Sequence, residues 1–316
     1  MSKIYLITGG AGNLACQLSF DLVGHGDRVV LFDIAQHPAA RVAEGCQYVR
    51  GDLTQREDLL SALKRYKPDS ILHFASLLSG SCELDRQQAW RVNMDGTFGL
   101  FEVAIQTDVK QVLFTSTLAT YGGRLRNPLP EDSPQWPSGL YGATKVACER
   151  LGVYYHEQHG IDFRCIRLPV VVSPFAPPGA ASAYASQAFV QSVRSRRFVF
   201  QVRPETRPAI IYVKDALYAI DDLLHAPQAD LTRRVYNIHA IAPSASELAE
   251  AITDRVSDAE VTFEPDPSLV RLIESWPTTI DDTSARSDWG WRLRYDLPAL
   301  ADHFIQELQR ESTDAS

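Results

Sequence analysis

The first 22 residues carry the pattern that most constrains the fold. An apolar run with several β-branched residues, KIYLIT at Lys3 to Thr8, leads directly into the turn GGAGNLA at 9–15. Apolar residues then recur at Leu14, Leu18 and Leu22, the spacing of one helix face. A buried strand, a glycine turn and a helix in immediate succession predict the opening of a parallel sheet with helices packed against it.

The small residues of this turn are expected to bring the backbone close to a phosphate group. Gly9 permits a tight turn, and Gly12 lets the backbone approach a pyrophosphate at the N-terminus of the next helix. The last small position is Ala15, which can still pack closely against the strand. The alternative is a tight turn that binds no ligand.

A carboxylate follows the second predicted strand. That strand covers 28–32 and ends at Asp33, 24 positions after Gly9. A carboxylate there accepts hydrogen bonds from a ribose 2′-hydroxyl and repels a 2′-phosphate. The next residues, IAQHPAA, include no arginine or lysine. The sequence therefore predicts NAD, not NADP, as the cofactor.

The alternation of strands and helices continues through the first half of the chain. Further strands are predicted at 47–50, 70–75, 111–117 and 163–168, and helices at 59–66 and 86–106. This order predicts an α/β fold, a doubly wound parallel sheet with helices on both faces and a ligand crevice at the carboxyl ends of its strands. Polar or small residues suited to a ligand stand at five such ends: Gly9, Asp33, Asp52, Ala75 and Thr117.

Candidate acid–base residues follow the fifth strand. Tyr141 and Lys145 are four apart in a helical stretch, so both side chains project from one face. An ammonium is expected to lower the pKa of the phenol from about 10, which proton transfer near neutral pH requires. Thr117 could supply a hydroxyl that holds the substrate oxygen. The alternative is a pair of surface residues, because this spacing is common by chance.

The composition changes after Pro169, where the run VVVSPFAPPGAASAYASQAF is dense in proline, glycine and alanine. We therefore predict a nucleotide-binding domain at 1–169, with 207–240 packing back onto it. A smaller C-terminal substrate lobe is expected to comprise 170–206 and 241–316. Within that lobe, Ser244 and Glu247 have the spacing of a helix capping box.

Charge and cysteine usage exclude several classes of function. The net charge is −8, and the basic residues cluster only at 194–197, which disfavours nucleic acid and anionic membranes as partners. The five cysteines are dispersed without a CxxC spacing, as expected for free thiols in a reducing compartment. No apolar run approaches about 18 residues, and the chain starts directly with a strand pattern, so we expect a cytoplasmic protein. His156 and His159 lie on one helix face without further ligands, so no metal site is predicted.

Several motifs together resemble the extended short-chain dehydrogenase/reductase superfamily, the NAD-dependent epimerase/dehydratase group. They are TGGAGNLA, GDL, HFAS, Asn93, STLATYG and YGATK, and the resemblance covers essentially the whole chain. It implies a Rossmann-type fold and catalytic roles for Thr117, Tyr141 and Lys145, with Lys145 also gripping the nicotinamide ribose. Asn93 would support this set, or would simply bridge helices. The cofactor contacts that we predict are Gly9, Gly12, Asn13, Leu14, Asp33, Asp52, Leu53, Phe74, Ala75, Ser76, Asn93, Thr115, Tyr141, Lys145 and Leu168.

Other segments resemble one subgroup, the short-chain-type L-threonine 3-dehydrogenases. They are SLLSGSCE, HGIDFRCIRLP, PPG and SWPTTIDDTSARSDWGW. Where that subgroup has Thr-Thr-Asp-Tyr, this chain has AASAY, with Ser182 for a threonine and Ala183 for the aspartate that would suit a substrate ammonium. The AAS run also resembles D-erythronate dehydrogenases. The predicted substrate contacts are Ser79, Ser116, Thr117, Tyr141 and Ser182.

The sequence thus predicts NAD-dependent oxidation of the secondary alcohol of a small 3-hydroxy acid. The substrate is L-threonine, giving 2-amino-3-ketobutyrate, or a related hydroxy or sugar acid. Two alternatives stay open: a nucleotide-sugar 4-epimerase or dehydratase that retains its NAD, and an NAD-sensing regulator. The superfamily resemblance also implies a homodimer, whose seam would use the apolar helices at 90–101 and 141–155.

Overall fold

The computed structural model describes residues 2–38, 40–123, 125–176 and 181–314 of the 316-residue chain. Its internal contacts divide the chain into two compact units. Unit 1 comprises Met1–Tyr121, Gln135–Arg167 and Ile220–Tyr236, and unit 2 comprises Gly122–Pro134, Leu168–Ala219 and Asn237–Ser316. The predicted domain boundary at 169 lies beside the division at 167/168. Of the segment 207–240, residues 220–236 belong to unit 1.

Strands and helices alternate in the order that the sequence predicts for the first half of the chain. The strands are β1 (Ile4–Thr8), β2 (Arg28–Asp33), β3 (Gln47–Arg50), β4 (Ser70–His73), β5 (Gln111–Thr117), β6 (Asp162–Leu168), β7 (Val170–Val172), β8 (Arg197–Phe200), β9 (Ile210–Tyr212), β10 (Val235–Asn237) and β11 (Glu260–Phe263). The α-helices are α1 (Asn13–Gly24), α2 (Arg56–Tyr66), α3 (Ser79–Leu84), α4 (Arg86–Trp90), α5 (Gly96–Gln106), α6 (Leu140–His159), α7 (Tyr184–Ser195), α8 (Val213–His225), α9 (Ala245–Thr253), α10 (Pro267–Glu274), α11 (Thr283–Trp289) and α12 (Leu297–Asp314). Among these described helices, none has both the length and the apolar character needed to cross a membrane.

The central sheet has seven parallel strands in the order β10-β6-β5-β4-β1-β2-β3. The order reverses between β1 and β4, where Thr8 pairs with His73 on one side and Phe32 on the other. This is the topological switch point of a doubly wound sheet, at whose carboxyl edge ligands bind. The predicted α/β fold class is confirmed.

The long helix predicted at 86–106 is not regular. A π-helical turn, Arg91–Asp95, separates α4 from α5 and carries the buried side chain of Asn93. Such single π-turns are often found at functional sites, because the extra residue redirects a side chain. Apolar periodicity alone cannot indicate this insertion.

Aromatic packing fixes α5 and α6 against the sheet in unit 1. The rings of Phe101 and Tyr155 stack with centroids 4.7 Å apart, and Phe101 meets Phe163 edge-on at 5.8 Å. A Cβ on Gly152 of α6 would lie 2.2 Å from the ring of Phe163, so this helix contacts β6 through a glycine. Burial of these large rings is the main apolar contribution to this layer.

Unit 2 contains two short parallel strand pairs, β7 with β9 and β8 with β11. Strands of three or four residues are too short for a reliable alternation signal, and β7, β8 and β11 were not predicted. The capping box at the start of α9 is confirmed: Ser244 Oγ accepts from the Glu247 amide at 3.1 Å, and Glu247 accepts from the Ser244 amide at 2.8 Å.

Candidate active site

The glycine turn after β1 fits between the ends of two strands without room for side chains. Gly9 has φ +70°, and a Cβ there would lie 2.7 Å from the backbone nitrogen of Ala75. A Cβ on Gly10 would lie 2.7 Å from the nitrogen of Phe32. The tight turn predicted for Gly9 is therefore confirmed. Glycine is also required at Gly10, because the backbone of β2 leaves no room for a Cβ, and the sequence analysis missed this requirement.

The turn ends at the N-terminus of α1, where Gly12 is the N-cap and no side chain caps the helix. The first amides of a helix lack intrahelical partners and attract anions. Asp33 lies beside them and is half-buried: its Oδ2 accepts from the Ala11 amide at 3.0 Å and its Oδ1 from the Ala35 amide at 2.9 Å. Each carboxylate oxygen keeps a second lone pair, so a ribose hydroxyl could still donate to it. The turn and Asp33 therefore fit a dinucleotide.

Asp52 and Leu53 stabilise their own loop. Asp52 Oδ1 accepts from the amide of Thr54 at 2.8 Å and from its hydroxyl at 2.9 Å. Leu53 is buried and lies against Gly96 of α5. Their predicted contacts with the cofactor stay predictions.

Asn93 connects the loop after β4 with helix α6. Its Oδ1 accepts from the Leu77 amide at 2.8 Å, and its Nδ2 donates to the Leu77 carbonyl at 3.1 Å and to Thr144 Oγ1 at 3.2 Å. Thr144 in turn donates to the carbonyl of Tyr141 at 2.8 Å. These contacts match the bridging alternative, and through them Asn93 fixes the first turn of α6.

The N-terminus of α6 packs directly on the turn that carries Thr117. Thr117 ends β5, and its Oγ1 accepts from the Ala119 amide at 3.1 Å, which caps the 3-10 turn Leu118–Thr120. A Cβ on Gly142 would lie 2.1 Å from the carbonyl oxygen of Ala119. Glycine is required there because the helix backbone touches the turn. This contact brings Tyr141 and Thr117 into one region of unit 1.

Lys145 is buried one helical turn after Tyr141. Its Nζ donates to the Thr115 carbonyl at 2.9 Å and lies 4.4 Å from the ring centroid of Phe114 and 5.7 Å from that of Tyr141. Burial lowers the pKa of Lys145 from its ordinary 10.5 to about 8. The loss of hydration outweighs the nearby acidic groups that act in the opposite direction.

The expectation that Lys145 lowers the pKa of the Tyr141 phenol is wrong. Burial raises the pKa of Tyr141 above its ordinary value of 10, and Cys82 acts in the same direction. The ammonium of Lys145 lies beside the Tyr141 ring, and its attraction does not overcome the loss of water around the oxygen. The Tyr141 phenol therefore keeps its proton at neutral pH.

The predicted substrate contacts differ in their exposure and in the unit to which they belong. Ser79 is exposed at the start of α3. Ser116 is buried, and its hydroxyl donates to Glu149 at 2.6 Å. Ser182 lies on the 3-10 turn Ala181–Ala183 of unit 2. The buried Leu168, a predicted cofactor contact, also belongs to unit 2. The other predicted cofactor residues, all partly buried, lie at the start of α1 or after β4: Asn13, Leu14, Phe74 and Ser76.

Sequence reasoning missed a buried histidine under the glycine turn. His73 Nε2 lies 2.8 Å from Thr97 Oγ1. The Thr97 hydroxyl already donates its proton to the Asn93 carbonyl at 2.6 Å. Nε2 must therefore carry the ring proton, and Nδ1 accepts from Thr8 at 2.7 Å. Burial lowers the pKa of His73 to about 3, so the ring stays neutral. The polar residue inside the apolar run SILHFA was the available signal.

A buried ion pair was also missed. Glu149 and Arg167 face each other with Nη2 and Oε2 2.6 Å apart. Two signals were available: Glu149 stands four residues after Lys145 on the same helix face, and an arginine interrupts the apolar strand FRCIRL.

Comparison with known proteins agrees with this geometry. The family model of the NAD dependent epimerase/dehydratase family matches residues 5–238. The chain belongs to this family. It is accordingly an NAD-dependent oxidoreductase, which confirms the predicted superfamily and cofactor.

Several similar proteins are named as L-threonine dehydrogenases. The mitochondrial L-threonine 3-dehydrogenase of Bos taurus is 34% identical over 299 residues, covering 93% of this chain and 80% of the relative. The L-threonine dehydrogenase structure from Clostridium difficile is 31% identical with a TM-score of 0.91 and covers 98% of both chains. The holo form of a GalE-like L-threonine dehydrogenase from Cupriavidus necator is 28% identical with a TM-score of 0.89, covering 96% of this chain and 99% of the other.

Proposed function

We propose that this protein is a dehydrogenase that oxidises the 3-hydroxyl group of a small 3-hydroxy acid, with L-threonine as the first candidate and 2-amino-3-ketobutyrate as its product. The observation that carries the proposal is the contact of Gly142 with the Ala119 carbonyl, which joins the helix of Tyr141 and Lys145 to the turn of Thr117. The full-length similarity to L-threonine dehydrogenases supports the same reaction.

The residues that would hold NAD lie along the carboxyl edge of the sheet in unit 1. The turn at Gly9 and the first amides of α1 would bind the pyrophosphate, and Asp33 would accept from the adenosine ribose. Lys145, near Tyr141, would donate to the nicotinamide ribose. Bound NAD supplies the hydride acceptor and a positive charge next to the reacting carbon.

Proton transfer falls to Tyr141 and Thr117. The Thr117 hydroxyl would orient the substrate oxygen, and Tyr141 would take the hydroxyl proton during oxidation. Because burial raises the pKa of Tyr141, its phenolate forms only when positive charge lies close to the oxygen. In the reverse direction, the neutral phenol is already the form that donates a proton to a ketone.

The chemistry of the substrate depends on unit 2. The similar subgroup has an aspartate where this chain has Ala183, next to Ser182. Ser182 offers a hydroxyl and Ala183 only a methyl group, so neither supplies the negative charge that would make a hydrogen bond to a substrate ammonium about twice as strong. The pair therefore suits a substrate hydroxyl better than an ammonium. L-threonine and its hydroxy-acid analogues are therefore the two sets to compare.

The first test is NADH formation over L-threonine, its stereoisomers, 3-hydroxybutyrate, erythronate, threonate and uronates. We expect turnover with at least one secondary alcohol of this set. Tightly retained NAD with no net NADH would instead support a nucleotide-sugar epimerase.

The second test replaces the proposed proton-transfer group. Tyr141→Phe should lower kcat by about 10²–10⁴-fold while NAD affinity stays within about twofold. Tyr154→Phe, at a half-exposed site of the same helix, is the matched control and should leave both unchanged. Turnover of Tyr141→Phe at the rate of the control would exclude Tyr141 as the proton-transfer residue.

We further propose a homodimer through an apolar face of unit 1. Trp90 and Phe98 are 51% and 52% exposed, and they line a groove with Met94, Ala147 and Leu151. Two such faces would bury each other's apolar surface. Light scattering should give twice the chain mass, and Phe98→Asp should give the monomer.

The cysteines support a location in a reducing compartment, which we propose to be the cytoplasm. All five are free thiols, and four of them are buried: Cys16, Cys82, Cys148 and Cys165. Fractionation of cells that express the tagged protein would test this.

A further inference from the structure

One carboxylate in the core of unit 1 collects four hydrogen bonds. Glu149 Oε1 accepts from Ser116 Oγ at 2.6 Å and from Arg167 Nε at 2.8 Å. Its Oε2 accepts from Arg167 Nη2 at 2.6 Å and from Gln135 Nε2 at 2.9 Å. The side chain of Glu149 is fully buried. The lone-pair sites of the carboxylate are all used, so no further ligand is needed to satisfy it.

Glu149 reaches both sides of Thr117 and its turn, directly through Ser116 and indirectly through Arg167. Ser116 immediately precedes Thr117 on β5. Tyr121, which follows the 3-10 turn, accepts from Arg167 Nη1 at 2.6 Å, and the guanidinium lies 5.1 Å from its ring centroid. The segment that carries Thr117 is therefore held at both ends through Glu149.

Residues of this network, including Tyr121 through Arg167, stand where the chain passes between the two units. Tyr121, Gln135 and Arg167 are the unit 1 residues at three of the five points where the chain changes unit. Two of these points bound the excursion 122–134, which leaves directly after the Thr117 turn. A single carboxylate thus fixes, within unit 1, the chain on either side of that excursion.

We propose that Glu149 is a positioning residue for the dehydrogenase reaction, because its contacts with Ser116, Arg167 and Gln135 hold the Thr117 turn where Tyr141 needs it. Glu149 lies on α6, the helix that also carries Tyr141 and Lys145. The helix and the end of β5 are therefore joined twice, by Gly142 at the surface of the turn and by Glu149 in the core. The expected effect of Glu149 on kcat rests on the proposed function, whereas its expected effect on the order of the Thr117 turn does not.

The test compares isosteric substitutions of two carboxylates in unit 1, each of which pairs with a buried arginine. Glu149→Gln replaces one carboxylate oxygen by an amide nitrogen, which donates and cannot accept. One of the two hydrogen bonds from Arg167 is then lost, and the other partner of that oxygen, Ser116 or Gln135, must accept instead of donating. Asp162→Asn is the matched control, because Asp162 pairs with the buried Arg164 at 2.6 Å on the same strand as Arg167 but touches nothing near Thr117 among its described partners. Both substitutions should lower Tm.

Hydrogen exchange of the protein without cofactor gives the first readout. Peptides that cover 115–121 should exchange at least about tenfold faster in Glu149→Gln than in the wild type, and at the wild-type rate in Asp162→Asn. Kinetics give the second readout: kcat of Glu149→Gln should fall by about 10–10²-fold with the KM for NAD within about twofold, because a shift near 1 Å misplaces the reacting groups. Asp162→Asn should keep the wild-type kcat at a temperature where it is folded.

Equal exchange and equal kcat in the two variants would overturn the proposal. If Glu149→Gln does not fold, Tyr121→Phe replaces it in the test. This variant removes only the hydroxyl that accepts from Arg167. Hydrogen exchange at 115–121 equal to that of the wild type would then count against the proposal. If the wild type produces no NADH with any substrate while the exchange difference is present, the proposed function fails and the structural role of Glu149 stands.

Discussion

Replacing Gly142 by alanine tests whether the contact between α6 and the Thr117 turn governs both stability and turnover. In the wild type a Cβ at this position would lie 2.1 Å from the Ala119 carbonyl oxygen and 2.7 Å from Cβ of Pro137. Ordinary carbon–oxygen contacts are about 3.3 Å or longer. The helix and the turn must therefore separate by about 1 Å, because the nearest obstacle is backbone and cannot rotate away.

Two opposing contributions set the change in unfolding free energy. Forcing extra volume into a packed contact costs about 1–3 kcal/mol. Alanine recovers at most about 1 kcal/mol relative to glycine in a helix. We expect Gly142→Ala to be destabilised by about 1–2 kcal/mol. A displacement near 1 Å between Tyr141 and Thr117 should also lower kcat by about 10²-fold.

The control is Gly99→Ala in α5, where an added Cβ would meet no described atom within 4 Å apart from its chain neighbours and its own helix backbone. It should gain about 0.5–1 kcal/mol from helix propensity and keep the wild-type kcat. Urea denaturation gives the two free energies, and NADH formation gives kcat. If Gly142→Ala were as stable and as active as Gly99→Ala, the contact would not position the catalytic groups.

Three further changes test other parts of the site. Burial lowers the pKa of Lys145 to about 8, so between about pH 8 and 10.5 the unfolded chain retains a proton that the folded chain releases. Over that range the unfolding free energy of the wild type should rise by about 3 kcal/mol relative to that of Lys145→Met. Urea titrations at several pH values measure this, and parallel pH curves for the two proteins would contradict it. Asp33→Ser should weaken NAD binding by about tenfold and reduce the ratio of NAD affinity to NADP affinity, because a 2′-phosphate is no longer repelled. Isothermal titration with both cofactors measures the two affinities, and an unchanged ratio would refute the role of Asp33 in cofactor choice. Gly9→Ala should abolish measurable NAD binding, since φ is +70° and the new Cβ would lie 2.7 Å from the nitrogen of Ala75; wild-type affinity in the same titration would contradict it.

Much of unit 1 was predictable because its signals are local. The strand, glycine turn and helix at 4–24 and the carboxylate after β2 each depend on a few consecutive residues. The strands at 47–50 and 111–117 coincide with the prediction, because bounded apolar runs define them. The capping box of α9 was likewise visible as a spacing of three.

The features missed in the site arise between distant segments. The π-helical turn that carries Asn93, the glycine contact at Gly142 and the ion pair between Glu149 and Arg167 each depend on what packs opposite, and no neighbouring residue encodes that. The short strands of unit 2 have too few residues for a periodic signal.

The amino-acid sequence alone determined which chemical groups stand at the carboxyl ends of the strands and in what order, since backbone preferences and apolar periodicity act over a few residues. The tertiary structure decided the acidity of the two groups on α6. Tyr141 becomes a weaker acid and Lys145 a weaker base because both lose water on burial, and the extent of that desolvation is set by segments far away along the chain.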